Sequence, residues 1–551
     1  MNIQIDAVYQ ATYLNMISEL IKQLKLPSKI TNFVNANDQC QVSPGDAVHL
    51  LLLDILSGRQ ALVHVEEWAK EIDLHKLLHE KVAPSFFNDD ALGRHLDRLH
   101  DAGIHQLLSS ILLDVYKHEE IPLSVFHGDT TSLSLYGAYD RPSRTLNITE
   151  GYSRDKPGYK QIQFGVVANE DGIPIYADVH DGNESDKSWN PQVLDQLHDQ
   201  FSQVDLDGFI YVADSAAMSA KTLKQAKAAG AAILTRGPNH LKIVKAALEK
   251  ADETDTPWSE EISFVSSKKG ATYRLFECAD TYEGHDVRLI VAESSALDKK
   301  KEKTLTKKRE QEHAMIEKQQ QSWTKSPFHC EEDAMKAFSE WEKEAGLCFH
   351  TVQPTIRAIE VTKRKRGRPK KGVEPEVQTH YILEVETTFD EAAFAHARRK
   401  ASRFVLVTTV PNEWQGEPAC PKRLLELYKG QINVEMNFRF LKNPFYIDDV
   451  YVHKPERVQV LGYLFLLALV IYRVFQRRIR QHITTAHPMK GAGGRTLTKP
   501  TGEAIFQLFK YVQVVAFTLP DNTKQRSFSR PLTYEQQRVL TALGMDESIY
   551  L

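Results

Sequence analysis

Three carboxylates stand where a folded chain can do chemistry. Asp129 follows the apolar run Pro122–His127, and Asp214 follows the apolar run Gly208–Ala213. An acidic residue at the carboxyl edge of a buried strand faces the crevice in which α/β sheets bind their ligands. The commoner role of such an Asp is to cap a helix or form a turn, so neither decides the matter alone. Both sit among small neighbours that leave room for a ligand, in His127-Gly128-Asp129-Thr130-Thr131-Ser132 and Val212-Ala213-Asp214-Ser215-Ala216-Ala217. The third carboxylate, Glu435, lies in Lys422–Lys442, whose pattern predicts one continuous helix. Tyr428, Gln431, Glu435 and Lys442 stand at offsets of 0, 3, 7 and 14 residues. At about 100° per residue they share one stripe roughly 60° wide. The stripe carries a phenol, an amide, a carboxylate and an ammonium, and Ile432, Met436 and Phe440 form an adjoining stripe able to pack on a sheet. An ordinary amphipathic surface helix would show a similar pattern.

The elements that position these groups follow from texture. Apolar residues recur at helical spacing in Tyr13–Leu24, Ala47–Leu56 and Leu92–Leu113, so residues 1–118 read as a helical domain, with Asn88-Asp89-Asp90 capping the last run. Tyr159–Ala168 and Ile173–His180 flank the turn Asn169–Gly172 and predict an antiparallel hairpin. Pro191–Phe201 and Ser219–Ala229 read as helices, Gly208–Ala213 and Ala231–Thr235 as buried strands. Together these predict a mixed α/β sheet with flanking helices over 119–242, interrupted by a long insert over 243–412. The insert shows strands at Thr272–Glu277, Asp286–Ala292, Tyr381–Thr388 and Phe404–Val410, a charged helix over Asp298–Gln321, and a second helix over Ala334–Glu344. Residues 413–484 return to helix, and 485–551 read as a basic tail of short mixed elements.

At this order several motifs together resemble a bacterial DDE insertion-sequence transposase, of the kind with a β-rich insertion between the second Asp and the Glu. That family's Glu helix carries Tyr, two residues, Arg, three residues, Glu, six residues, Lys. Tyr428, Glu435 and Lys442 fall at those spacings, and Gln431 stands in the Arg position. Phe126–Ser132 and Phe209–Ala217 resemble the two Asp motifs; Gly151–Asp186 and Asn88–Gly103 resemble further stretches of the family. The resemblance implies an RNase H-like α/β fold and metal-dependent cleavage of DNA at transposon ends, followed by strand transfer. It implies that Asp129, Asp214 and Glu435 hold two Mg²⁺ (or Mn²⁺) ions. Without metal, clustered carboxylates should raise at least one pKa. Tyr428, Gln431 and Lys442 would then meet the phosphate backbone, with Gln431 unable to supply an arginine's charged fork. His127 reads as a core histidine, and Gly182–Asp186 as a loop capping a helix through Ser185 or Asp186.

Composition adds limits. The chain of 551 residues carries 69 Lys+Arg against 73 Asp+Glu, a formal charge of −4 that argues against indiscriminate coating of polyanions. Residues 1–118 are acidic, 10 basic against 15 acidic, whereas residues 454–551 carry 14 basic and 6 acidic. Lys363–Lys371 holds seven basic residues and no acid; within it Arg366-Gly367-Arg368-Pro369 resembles an AT-hook core able to enter an A·T minor groove. Arg473, Arg477, Arg478 and Arg480 suggest a second DNA contact. The expected partner is double-stranded DNA, both terminal inverted repeats and target, gripped by a homodimer. The five cysteines form no CxxC pair and predict reduced thiols. Met1–Gln10 has no readable secretory signal, and the apolar run Leu461–Tyr472 is shorter than the ~20 residues of a membrane span, so a core helix and a cytoplasmic protein are expected. A DNA-binding protein without catalysis and a nuclease that cuts without joining are the competing readings.

Overall fold

The computed structural model describes the chain apart from residues 1–3, 36–39, 141–142, 144, 153–157, 203–207, 254, 265–269, 298, 363–376 and 448–449. It divides into two compact units: Met1–Pro238, Thr281–Val287 and Val407–Leu551 form one, and Asn239–Asp280 with Arg288–Leu406 the other.

The first unit begins with a strand, β1 (Gln4–Tyr9), ahead of the helices expected there. It pairs antiparallel with Val514–Thr518, which pairs in turn with Lys524–Phe528. Local texture could not disclose it, because its partner lies about 500 residues away. Helices α1 (Leu14–Gln23), α2 (Leu26–Val34), α3 (Pro44–Leu56), α4 (Asp89–Ala102) and α5 (Ile104–His118) follow. Asn88 caps α4 by accepting from the Ala91 amide at 2.9 Å. The apolar run expected as one helix breaks at Gly103, whose φ of +91° is left-handed.

The strands of the main sheet that position the site are β2 (Val125–Ser134), β3 (Lys160–Ala168), β4 (Pro174–His180), β5 (Phe209–Ala213) and β6 (Ala231–Arg236). Their order is β4-β3-β2-β5-β6. Strand β3 pairs antiparallel with both β4 and β2, and β5 and β6 run parallel to β2. Parallel neighbours need crossovers, supplied here by α6 (Asp186–Phe201) before β5 and α7 (Ala220–Ala228) between β5 and β6. Every residue of β5 is buried, as its unbroken apolar run demands.

In the second unit, β7 (Thr272–Tyr282) neighbours β8 (His285–Ser294). Helices α8 (Lys299–Lys325) and α9 (Glu331–Ala345) precede the 13-residue strands β9 (His350–Thr362) and β10 (Val377–Phe389), which pair antiparallel from His350↔Phe389 to Thr362↔Val377. Ile316 and Trp323 of α8 pack with Phe338 of α9 and Leu383 of β10 as this unit's core. Helix α10 (Glu391–Ser402) and strand β11 (Arg403–Thr408) lead back toward the first unit's last segment.

That segment carries α11 (Pro421–Lys429), α12 (Ile432–Leu441) and α13 (Pro455–His482). By length and composition α13 could cross a membrane, but 94% of its apolar window is buried inside the protein. It is a core helix, tied to α4 by the Arg457–Asp97 pair at 2.7 Å.

Candidate active site

Two of the carboxylates are placed by one ladder. The parallel pairing of β2 with β5 ends at Gly128↔Ala213, and the next residues on the two strands are Asp129 and Asp214. Here β5 ends but β2 does not. It runs on to Ser134 against β3, with Asp129 opposite Val166. Asp129 therefore lies within a strand rather than in the loop expected after it, because antiparallel pairing continues where parallel pairing stops. Asp214 turns into the short 3-10 turn Ser215–Ala217 and caps it, accepting from the Ala216 amide at 2.9 Å. The Thr235 hydroxyl of β6 donates to the Asp214 carbonyl at 2.5 Å and fixes the turn.

Gly128 is required at its position. A Cβ there would stand 2.2 Å from the Tyr211 hydroxyl. Fully buried Tyr211 instead donates to Asn190 Oδ1 at 2.8 Å, and Asn190 Nδ2 donates to the Asp186 carbonyl at 2.7 Å. Ser185 caps α6, accepting from the Ser188 amide at 3.3 Å. Asp186 turns inward and accepts from the Thr130 hydroxyl, next to Asp129.

Lys422–Lys442 is not one helix. It divides at Gly430-Gln431 into α11 and α12. Gly430 is a poor helix former. The Gln431, Asn433 and Val434 amides bond three residues back, to Tyr428, Gly430 and Gln431 carbonyls. Such a turn advances about 120° per residue instead of about 100°, so the single stripe drawn on an ideal wheel does not hold. The buried residues of α12 are Val434, Asn437, Phe438, Phe440 and Leu441, so Phe440 packs as expected, whereas Ile432 is exposed. Gly430 lies against His127: a Cβ would meet His127 Cε1 at 2.8 Å. His127 is the expected core histidine. It is fully buried, neither ring nitrogen has a hydrogen-bond partner, and burial pushes its pKa down to about 4.

Tyr428 nevertheless reaches both Asp electrostatically, and Glu435 reaches Asp129. Burial raises Asp129 from the usual carboxylate range to about 7, the Thr130 amide opposes this, and Asp214, Asp186 and Glu435 add to the rise. The direction is the one expected of clustered acids, with burial as the larger cause. The Tyr428 phenol is raised by burial; the Arg236 guanidinium lowers it, and Asp214, Asp129 and Glu435 raise it further. Lys442 is exposed at the C-cap position just after α12, and half-buried Gln431 makes no capping bond. Among the described residues, no three His, Cys, Asp or Glu side chains, Asp129, Asp214 and Glu435 included, are grouped so that they could hold a metal ion. Hard cations need no such group of three: Mg²⁺ keeps several waters and takes one or two carboxylates with substrate phosphate oxygens. An all-carboxylate set holding a proton near neutrality suits such a cation, which would displace that proton.

Asp186 and Arg236 escaped the sequence reading as members of this constellation. Arg236 ends the apolar strand β6 as the two Asp follow theirs, so the same criterion applied to a base would have found it. Asp186 offered no such signal, since its side-chain direction depends on Thr130. The hook residues Arg366, Gly367, Arg368 and Pro369 lie outside the described residues. The arginines near the end of α13 form no outward patch. Arg473 is buried against Asn437, Arg477 pairs with Asp171 at 3.2 Å, Arg478 with Glu119 at 2.7 Å, and Arg480 donates to the Pro500 carbonyl at 2.8 Å. They are internal struts, satisfied by side-chain amides, acids and a backbone carbonyl, most of them distant in sequence. All five cysteines are free thiols.

A family model described as "Transposase DDE domain" matches residues 128–471, and one described as a domain of unknown function (DUF4277) matches residues 6–113. No curated protein matches. Among solved structures, a piggyBac transposase synaptic complex with hairpin DNA is 9% identical over 90% of this chain and 79% of that chain, with a TM-score of 0.37. A Mos1 transposase paired-end complex with the left transposon end is 12% identical over 36% of this chain and 60% of that one, with a TM-score of 0.15. A Mos1 mariner paired-end complex with Mn is 12% identical over 39% and 66%, with a TM-score of 0.15.

Proposed function

The chain belongs to the DDE transposase family, and we propose that it cleaves DNA at the ends of a mobile element and joins the freed 3′ ends to target DNA. What supports this reading is the ladder that sets Asp129 and Asp214 side by side at the end of β5, with Glu435 in the same field. Asp129, Asp214 and Glu435 would hold two Mg²⁺ or Mn²⁺ ions. Bound there, the ions would supply Lewis-acid polarisation of a phosphoryl oxygen and a lowered pKa for water.

The remaining work falls to the chain's own side chains. Asp129 gives up its proton as DNA and cations enter. Tyr428, kept as the neutral phenol, donates to a backbone phosphate oxygen. Arg236 adds positive charge beside Tyr428, Lys442 offers a point charge to another phosphate, and Gln431 contributes an amide donor in place of a guanidinium. Arg366 and Arg368 enter an A·T minor groove. The working unit is a homodimer holding two terminal repeats, acting in the bacterial cytoplasm at the nucleoid.

The test is a duplex carrying one terminal repeat, incubated with Mg²⁺ or Mn²⁺. Asp129→Asn, Asp214→Asn and Glu435→Gln should each remove nicking while salt-dependent binding survives. Full nicking by any one of them would overturn the site assignment. Nicking without a strand-transfer product would leave a nuclease.

A further inference from the structure

The second unit carries a concentration of positive charge that this chemistry does not use. Seven basic residues lie between Lys299 and Arg309 of α8 against one acid, Glu302. Arg398, Arg399 and Lys400 follow one another in α10. The sequence separates these clusters by about 90 residues, and the fold places them side by side. Lys301 Nζ donates to the Ala401 carbonyl at 2.7 Å, and Arg398 pairs with Glu302 at 2.8 Å. The Arg309 guanidinium lies 5.7 Å from the ring centre of Phe394 in α10. These contacts lock the helices together and consume the one acid in that stretch.

Other cations point outward. Lys299, Lys303 and Lys307 are exposed at i, i+4 and i+8, a row with a rise of about 6 Å per step. Arg399 is exposed on α10. Beside α10 lies a groove of about 470 Å³ lined by Arg274, Arg398, Arg399, Ser294, Ser295 and Glu261, among others. Glu293, at the same groove, is neutralised by Arg274 and by Arg403, whose Nε lies 2.8 Å away. Like charges four residues apart destabilise a helix, and a polyanion laid along the row would relieve that repulsion.

We infer that the α8–α10 face of the second unit is a docking surface for the sugar–phosphate backbone of duplex DNA. Lysines, arginines and serine hydroxyls are the groups that bond phosphate oxygens without reading bases. Neither helix carries an exposed large apolar side chain, so the face lacks what an amphipathic membrane-surface helix inserts. The inference rests on the reading of the chain as a DNA enzyme only for the identity of the polyanion, and it uses none of the residues assigned to cleavage.

The test uses the full chain with a random-sequence duplex, followed by fluorescence anisotropy across a KCl series. The variant Lys303→Ala/Lys307→Ala/Arg399→Ala should bind more weakly at low salt. Each phosphate contact contributes about 0.9 to the slope of log K against log salt, so the slope should become shallower by about 2–3. The charge-preserving variant Lys303→Arg/Lys307→Arg should keep the parent slope, and terminal-repeat nicking at saturating protein should be unchanged in both. An unchanged slope in the triple variant overturns the inference. So does loss of binding to phosphatidylserine vesicles with duplex binding intact. The slope is also measured in Asp129→Asn. A normal slope there, with nicking intact, would defeat the catalytic assignment and leave the docking surface standing.

Discussion

Arg473 Nε donates to Asn437 Oδ1 at 2.6 Å, and through that bond a buried cation holds the helix that carries Glu435. Arg473 also donates to Gln476 Oε1 at 2.9 Å, so both of these partners are neutral amides, and burial lowers its pKa to about 10. Asn437 in turn donates to the Gly172 carbonyl at 2.9 Å, and Asn433 to the Glu170 carbonyl at 2.5 Å. The β3–β4 turn thus grips α12 at two positions one helical turn apart, on either side of Glu435. Asn437→Ala leaves a buried charge short of an acceptor, at a cost of about 1–3 kcal/mol. The single-turnover cleavage rate should fall with little change in DNA affinity. In Asn437→Leu/Arg473→Met the melting temperature should recover while the cleavage rate does not. Wild-type cleavage by this double variant would show that the grip is structural only.

Gly430 and His127 form a steric pair that sets how closely α11–α12 approaches β2. Gly430→Ala forces a Cβ to within 2.8 Å of the imidazole. Overpacking of this kind costs about 1–3 kcal/mol. Cleavage should drop as Glu435 is pushed from Asp129. His127→Ala in the same chain removes the clash and should restore part of the cleavage rate, a coupling that a double-mutant cycle measures directly.

The raised pKa of Asp129, about 7, makes the metal-free protein sensitive to pH. In the unfolded chain the carboxyl titrates near 4. Below that both states are protonated and the group's favourable contribution is complete; it is lost as pH rises through about 7. Metal-free protein should therefore lose stability relative to Asp129→Asn between about pH 4 and 7. Added Mg²⁺ should close that gap at pH 7 and release protons as it binds. Calorimetric melts of both proteins, with and without Mg²⁺, check the sign; a gap that widens toward acid would refute it.

Arg236 stands beside Tyr428 where Gln431 lacks a charge. Arg236→Gln should weaken terminal-repeat binding and reduce its salt slope by about 1, the signature of one lost phosphate contact. Gln431→Arg in that background should restore the slope. Binding isotherms at several salt concentrations decide it, and an unchanged slope in Arg236→Gln would remove this residue from the DNA-contacting set.

The sequence by itself determined whatever depends on local pattern. Unbroken apolar runs can be satisfied only by burial on both faces, so β5 and the core helix α13 were legible, as was the hairpin around Asn169–Gly172. Small residues around Asp129 and Asp214, and the spacing of Tyr428, Glu435 and Lys442, were legible for the same reason. The tertiary structure decided whatever depends on distant partners. Pairing with β3 kept β2 going past Asp129, and His127 left room only for a glycine at the bend that divides the Glu435 helix. Acids far along the chain drew Arg477 and Arg478 of α13 inward, and a strand near residue 516 gave β1 its partner. Asp186 and Arg236 joined the site through contacts and fields, which local sequence does not carry. A side chain's type is written in the chain, but what it faces is set by whichever remote segment packs against it.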